Sequence, residues 1–189
     1  MNRYFNFLNE IGNIDEEAFK KLSSLTKYKK ITSKTKLTKA GDIPSKVYML
    51  ISGIFRAYIT LESGKQYNKR LYSPPSFAGA LTSMIKDEPS IIVFESLTDC
   101  EYFEIDFPGL MNLCNEDINI NQLYTKVLEH AFIAYEDRNL DLMTLSGTKL
   151  YMKLRKQIPN IDELIPQYQI ASYLNISPVQ LSRIRKTLK

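Results

Sequence analysis

The stretch QYQIASYLNISPVQLSRIRK, Gln167 to Lys186, decides the fold of the C-terminal part of this chain. Its apolar residues have the spacing that the inner faces of two crossing helices require, and they are Ile170, Leu174, Ile176, Leu181 and Ile184. Asn175 occupies the turn position that needs a positive φ, which asparagine tolerates. Ser177 is a predicted N-cap, Pro178 suits the first helical position, and Gln180 completes a capping box. The stretch therefore predicts a helix-turn-helix.

The second helix of this motif has an inner and an outer face. At about 100° per residue, Leu181, Ile184 and Leu188 fall on the inner face. The candidate DNA-contacting residues of this helix are Ser177, Val179, Gln180, Ser182, Arg183, Arg185 and Lys186. Arg183 is the best candidate to contact a base, because a guanidinium group matches the O6/N7 edge of guanine. Arg185 and Lys186 lie at the flank or far end, where phosphate contacts are expected.

The charge distribution indicates an anionic partner for the same region. Residues 143–189 hold eight Lys and Arg against two acidic residues, and no acid follows Glu163. Residues 1–142 hold 17 Lys and Arg against 19 Asp and Glu. A nearly neutral body with a basic C-terminal module favours nucleic acid as the partner, the alternative being a basic terminus that only aids solubility.

The middle of the chain has the composition of short β-strands. The runs VYMLI (47–51), IFRAYIT (54–60) and IIVFES (91–96) are rich in β-branched and aromatic residues and are separated by turn signals. The segment ESGK, 62–65, predicts a hairpin with Gly64 at positive φ. This pattern predicts an antiparallel β-roll or jelly roll.

Helices are predicted on both sides of the β region. A short one follows the N-cap candidate Asp15, and a long one covers 117–142, where glycine and proline are absent. The long helix carries two apolar rows, more than the β body alone can cover, so one row is expected to face a second subunit. The residues assigned to this dimer contact are Leu123, Val127, Ala131 and Ala134. Burial between two domains of one chain is the alternative.

Composition weakens most enzyme and metal-site interpretations. The chain has one histidine, His130, and two cysteines, Cys100 and Cys114, without C-x-x-C spacing. The common phosphate-loop and nucleophile-elbow motifs are absent from the sequence. We therefore expect no catalytic residue, no metal ligand and no cofactor. No apolar run is long enough for a membrane span and no secretory signal is recognisable, so a cytoplasmic protein without a membrane partner is expected.

Taken together, the chain resembles the Crp/Fnr family of bacterial transcription regulators over nearly its whole length. Residues 36–79 resemble the cyclic-nucleotide-binding-like β-roll of that family, and residues 142–186 resemble its winged-helix module. The resemblance implies a homodimer on a palindromic site in double-stranded DNA, a small-molecule effector and RNA polymerase as a further partner. It also implies a terminal wing hairpin, which is expected to be short or missing because the sequence stops at Lys189.

The effector region departs from the cyclic-AMP-binding members of the family. Those members carry a Phe-Gly-Glu stretch for the ribose and an Arg-Ser or Arg-Thr pair for the phosphate, where this chain has FAGA (77–80) and DEPS (87–90). Ala80 cannot accept a ribose hydrogen bond, and a buried phosphate without a cation is costly. We therefore expect an effector pocket of another type. Its candidate residues are Tyr72, Phe77, Gly79, Ala80 and Ser90.

The sequence as a whole predicts an α+β protein with an N-terminal antiparallel β-roll, a long central helix and a C-terminal helix-turn-helix. The expected division is an effector domain at 1–116, a dimerisation helix at 117–142 and a DNA-binding domain at 143–189. The leading hypothesis is a dimeric DNA-binding regulator. Two alternatives are a small-molecule sensor whose C-terminal module contacts protein, and a jelly-roll metalloenzyme, which a single histidine disfavours.

Overall fold

The computed structural model describes residues 3–188, with side chains described from Phe5 onward. Met1, Asn2 and Lys189 lie outside the described residues. The helices are α1 (Arg3–Gly12), α2 (Glu16–Ser24), α3 (Leu81–Lys86), α4 (Phe107–Glu116), α5 (Ile118–Thr144), α6 (Gly147–Gln157), α7 (Ile161–Leu164), α8 (Gln167–Tyr173) and α9 (Pro178–Thr187). The strands are β1 (Thr26–Ile31), β2 (Lys36–Thr38), β3 (Lys46–Ser52), β4 (Phe55–Thr60), β5 (Gln66–Tyr72), β6 (Ser76–Ala78), β7 (Val93–Ser96) and β8 (Cys100–Asp106).

The strands form two four-stranded antiparallel sheets, in the orders β1-β8-β3-β6 and β2-β7-β4-β5. Side chains from both sheets meet in one core, which contains Leu50 of β3, Phe55 of β4, Phe94 of β7 and Tyr102 of β8. Burying these apolar side chains between the sheets is the main force that holds such a sandwich together. The predicted β-roll is confirmed.

The hairpin predicted at 62–65 connects β4 and β5. The amide of Leu61 donates to the carbonyl of Lys65 at 3.0 Å, and Gly64 has φ of 79°. The strand register continues from Thr60 opposite Gln66. A glycine suits this turn because a side chain would strain the backbone at positive φ.

The N-terminal helices share one apolar core with α4 and the start of α5. This core includes Leu8 of α1, Leu22 of α2, Cys114 of α4 and Ile120 of α5. Asp15 caps α2 as predicted, accepting a hydrogen bond from the amide of Ala18 at 2.8 Å. Helix α1 was not predicted from the sequence, although its contacts with α5 complete this core.

Helix α5 has 27 residues and connects the β-roll to the C-terminal module. Its first part is buried against α1 and α4, whereas its middle and end expose large apolar side chains. Phe132 is 64% exposed, Tyr135 is 53% exposed and Met143 is 80% exposed. Within residues 3–188, no helix has both the length and the apolar character needed to cross a membrane.

The C-terminal module consists of α6, α7, α8 and α9 around a core of its own. Tyr151, Leu154, Ile161, Ile170 and Leu181 are almost completely buried in it. Two residues of the β-roll, Ile54 and Leu71, belong to the same apolar cluster. The module therefore packs directly on the β-roll. No strand follows β8 among the residues that the structure describes.

Candidate DNA-binding surface and effector cavities

The helix-turn-helix is formed by α8, a short turn and α9. Asn175 in the turn has φ of 55°, the left-handed conformation expected of it. The Ser177 hydroxyl accepts a hydrogen bond from the Gln180 amide at 3.1 Å, and the Gln180 side chain accepts from the Ser177 amide at 2.8 Å. These two bonds are the predicted capping box, and they hold the Gln180 amide group at the helix terminus.

The inner faces of the two helices are packed as the spacing predicts, with one exception. Ala171, Leu174 and Leu181 are buried, and α6 approaches so closely that a Cβ at Gly147 would lie 3.2 Å from a methyl carbon of Ile176. The inward assignment of Leu188 is wrong, because Leu188 is 37% exposed. It is the C-cap of α9, where the helical geometry that placed it inward ends.

The outer face of α9 is open to solvent. Val179, Ser182, Arg183 and Lys186 are all exposed, and none of them forms an ion pair with a described residue. Because the helix is capped at its first turn, these side chains project from a fixed backbone. A basic, partly apolar face of this kind has the shape and charge to enter a major groove.

Arg185 is held differently from its neighbours on α9. Its Nε lies 3.3 Å from the Oδ1 of Asp162, an ion pair without hydrogen-bond geometry. The Oδ2 of the same carboxylate accepts a hydrogen bond from the Tyr151 hydroxyl at 2.6 Å. Burial and this bond raise the pKa of Tyr151 above its usual value. Arg185 is thus partly neutralised within its own module.

A buried polar network, here named the polar latch, joins α8 to the β-roll; its residues are Arg56, Asn68, Glu95, Gln169 and Ser172. Arg56 is 6% exposed and donates through Nε to Glu95 at 2.7 Å and through Nη1 to the Gln169 side chain at 3.0 Å. The Asn68 side-chain amide donates to the carbonyl of Gln169 at 2.9 Å and to its Oε1 at 2.7 Å.

The latch also uses the backbone of β5. The amide of Asn68 donates to the Ser172 hydroxyl at 2.9 Å. The Arg56 guanidinium lies over the ring of Tyr58, with 3.7 Å between its Cζ and the ring centroid. Because Arg56, Asn68, Glu95 and Gln169 are buried and hydrogen-bonded to one another, the network fixes the orientation of α8 relative to β5.

An apolar cavity of about 370 Å³ lies between α1, the β6–α3 segment and α5. Tyr72, Phe77 and Gly79, three of the predicted effector residues, line it, together with Leu123 and Val127 of α5. Burial raises the pKa of the Tyr72 hydroxyl to about 12, so this group is a neutral hydrogen-bond donor. The volume is within the range of small-molecule sites.

Ala80 and Ser90, the other predicted effector residues, do not line this cavity. Ala80 is buried in the core between the sheets. The Ser90 hydroxyl donates to the carbonyl of Ile92 at 2.9 Å and accepts from the amide of the same residue at 3.1 Å. The hydroxyl of Ser90 therefore makes its hydrogen bonds within its own loop. Neither side chain thus offers a free polar group to a ligand in the apolar cavity.

A second, polar cavity of about 320 Å³ lies where the β-roll, α5, α6 and α8 meet. Arg70 of β5, Ser76 of β6 and Arg138 of α5 line it. Arg138 donates through Nη2 to the carbonyl of Tyr173 and stacks over the ring of that residue. Burial lowers the pKa of Arg138 below its usual value. Sequence reasoning missed this cavity, since no spacing connects these residues.

The residues assigned to a dimer contact have different surroundings. Leu123 is 4% exposed and packs within its own chain, which leaves almost none of it for a partner. Val127 and Ala134 are half-buried and Ala131 is exposed. The large exposed side chains nearby, Phe132 and Tyr135, were not assigned. Both belong to the second apolar row of 117–142, and their size was the available signal. The members of that row are Tyr124, Leu128, Phe132 and Tyr135.

The cysteines and the histidine form no metal site. Cys100 and Cys114 are buried, and burial raises the pKa of both thiols. His130 is exposed on α5. Among the described residues, no three His, Cys, Asp or Glu side chains come together in a group that fits a metal ion.

Comparisons with known proteins agree with this architecture. Residues 28–117 match the family model of the cyclic nucleotide-binding domain. A search of the curated proteins found no significant sequence match. Many solved structures are similar, including several of Crp/Fnr regulators.

Three of these structures cover most of both chains. The c-di-GMP-responsive global regulator CLP of Xanthomonas campestris superposes with a TM-score of 0.69 at 15% identity, over 92% of this chain and 91% of its own. FixK2 of Bradyrhizobium japonicum superposes with a TM-score of 0.72 at 13% identity, over 86% of this chain and 84% of its own. The catabolite activator protein of Thermus thermophilus superposes with a TM-score of 0.57 at 19% identity, over 96% of this chain and 85% of its own. The likeness at these identities is one of fold.

Proposed function

We propose that this chain, which has the fold of the Crp/Fnr transcription regulators and a domain of the cyclic nucleotide-binding family, is a sequence-specific DNA-binding transcription regulator. It acts as a homodimer on a palindromic site, with one α9 helix in the major groove of each half-site. Its fold is one of regulators rather than of enzymes. The cytoplasm is the proposed place of action, and RNA polymerase is a further partner on family grounds.

The observation that carries the proposal is the outer face of α9. Val179, Ser182, Arg183 and Lys186 are exposed together on a helix with a complete capping box. Arg183 can donate hydrogen bonds to the edge of a guanine, and Val179 can contact a thymine methyl group. Lys186 can pair with a phosphate. Ser177 and Gln180 act mainly through the cap, and Arg185 is partly engaged by Asp162.

The exposed apolar side chains of α5 support the dimer. Phe132, Ile133 and Tyr135 are each more than half exposed, and they follow one another along the middle of the helix. Contiguous apolar surface of this kind on a helix indicates a protein contact. In this proposal residues 1–116 hold the effector, residues 117–142 form the dimer and residues 143–189 bind DNA, with Met1, Asn2 and Lys189 outside the described residues.

The proposed effector is not of the cyclic-AMP type. Ala80 lies in the core and the Ser90 hydroxyl is bonded to its own loop, so neither is free for a ribose or a cyclic phosphate. The apolar cavity offers Tyr72, Phe77 and Gly79 to a different small molecule.

Selection of binding sites from a pool of randomised DNA duplexes, repeated at two salt concentrations, tests the proposal. A two-fold-symmetric site with an affinity that falls steeply as salt rises is expected. Arg183→Ala should cost about 1–3 kcal/mol and relax the preference at one base pair of each half-site. Lys186→Ala should weaken binding to all sequences alike and reduce the salt dependence.

Lys20→Ala is the matched control, because Lys20 is exposed on α2 at the opposite end of the chain. Its effect on DNA affinity should be negligible. Binding without sequence preference and with no response to Arg183→Ala would contradict the proposal. That outcome would favour the alternative, a sensor whose C-terminal module contacts protein.

A further inference from the structure

The apolar cavity and the polar cavity are neighbours along the β5–β6 connection. Arg70, Tyr72 and Ser76 line both of them. The combined space runs from an apolar end between α1 and α5 to a polar end at the junction with α6 and α8. A single molecule that fills it must therefore be apolar at one end and polar at the other.

Two buried polar atoms of residues that line the polar cavity have no hydrogen-bond partner among the described residues. They are the Nε of Arg138 and the Oγ of Ser76. A buried donor without an acceptor costs about 1–3 kcal/mol, so such atoms in a native structure require an explanation. An acceptor group supplied by a ligand satisfies both.

The charges around the polar cavity favour an anion. Lys153 and Asp141 neutralise each other in an ion pair of 2.5 Å, and Asp137 is exposed. Arg70 has no acidic partner within residues 3–188 and only stacks near the Tyr72 ring, at 5.3 Å from Cζ to the centroid. Two guanidinium groups are thus left to face the cavity.

We propose that the joined cavities bind an amphipathic monocarboxylate, with its hydrocarbon body in the apolar cavity and its carboxylate against Arg70, Arg138 and Ser76. A carboxylate offers about four lone-pair positions, enough for both guanidinium groups and the hydroxyl. The inference deepens the proposed function, because it identifies the chemical class of the effector. It rests on the proposed function only for calling this ligand the effector. The bound molecule contacts the β-roll, α5 and the C-terminal module at once.

Isothermal titration calorimetry of the full chain, without DNA, tests the proposal with three probes. Decanoate carries both parts of the proposed ligand, decan-1-ol lacks the charge, and acetate lacks the body. Decanoate is expected to bind at least tenfold more tightly than either of the others, because hydrogen bonds to charged groups and burial of the chain both contribute. Equal affinity of decanoate and decan-1-ol would overturn the anion site.

Variants at the polar end identify the site. Arg70→Gln should weaken decanoate binding about tenfold and leave decan-1-ol unchanged. Ser76→Ala should weaken decanoate about threefold without lowering the melting temperature of the free protein, since its hydroxyl has no partner to lose. Lys69→Gln is the matched control: this neighbour of Arg70 is exposed and lines neither cavity.

The negative outcomes are distinct. If no probe binds, the proposal is wrong. If decanoate binds but the chain selects no DNA site, the ligand site stands and the proposed function fails. If the chain selects a palindromic DNA site but binds none of the three probes, the proposed function stands and the ligand site is wrong.

Discussion

Replacing Asn68 by alanine should loosen the attachment of α8 to the β-roll. The side chain of Asn68 is buried and makes three hydrogen bonds, two to Gln169 and one from the Nη1 of Arg56 at 3.3 Å. Arg56 and Gln169 remain bonded to each other after the substitution, at 3.0 Å. The free energy of unfolding should therefore fall by about 0.5–1.5 kcal/mol for each lost bond. The larger cost of leaving a buried group without any hydrogen bond does not arise.

For the three bonds of Asn68, the expected decrease in the free energy of unfolding of Asn68→Ala is about 1.5–4.5 kcal/mol. Urea unfolding followed by far-UV circular dichroism measures it, through the midpoint at constant m value. Asn119→Ala is the control, because Asn119 is exposed and its side chain makes one hydrogen bond, to Asp15 at 3.2 Å. The control should change stability by less than about 0.5 kcal/mol.

A double-mutant cycle with Gln169→Ala separates the latch from ordinary packing. Residues in one hydrogen-bond network show coupling of about 0.5–3 kcal/mol, whereas independent sites add to within about 0.5 kcal/mol. Coupling between Asn68 and Gln169 is expected because two of the bonds join them directly. Additive effects, or a loss for Asn68→Ala no larger than that of the control, would refute the reasoning.

Three further substitutions or conditions have defined outcomes. Phe132→Glu should convert a dimer into a monomer in analytical ultracentrifugation, since this side chain is 64% exposed on the apolar part of α5. Gly53→Ala should lower the melting temperature by several degrees, because φ is +85° and the new Cβ would lie 2.3 Å from the carbonyl oxygen of Asp99. The free energy of unfolding should also fall below about pH 4. The hydrogen bond from Lys46 lowers the pKa of Asp106 in the folded state. The stability that Asp106 contributes is therefore present above its unfolded pKa and is lost as the carboxylate is protonated. Melting temperatures of Asp106→Asn and the parent protein between pH 3 and pH 7 should converge at the acid end, and a constant difference would contradict this cause.

The helix-turn-helix was predictable because its signals are local. The cap at Ser177, the left-handed Asn175 and the capping-box Gln180 act within a few residues of one another, so the sequence alone contains the whole argument. The same holds for Asp15 and for the Gly64 hairpin.

The polar latch and the polar cavity were not predictable for the opposite reason. Asn68 and Gln169 are 101 positions apart, and their pairing depends on how the C-terminal module docks on the β-roll. Arg138 interrupts the apolar pattern of α5, yet only the fold brings it to Arg70 and Ser76. Leu188 shows the limit of helical periodicity, which loses its meaning at the residue where the helix ends.

The contact between Arg185 and Asp162 has a consequence for the ionic character of DNA binding. A guanidinium that already has a carboxylate beside it displaces fewer condensed cations from a phosphate than a free one does. The number of ions released on binding should therefore follow Arg183 and Lys186 more closely than the total of basic side chains on α9. Arg185 would set the angle at which the helix meets the backbone, and Asp162 would repel a phosphate that came too near.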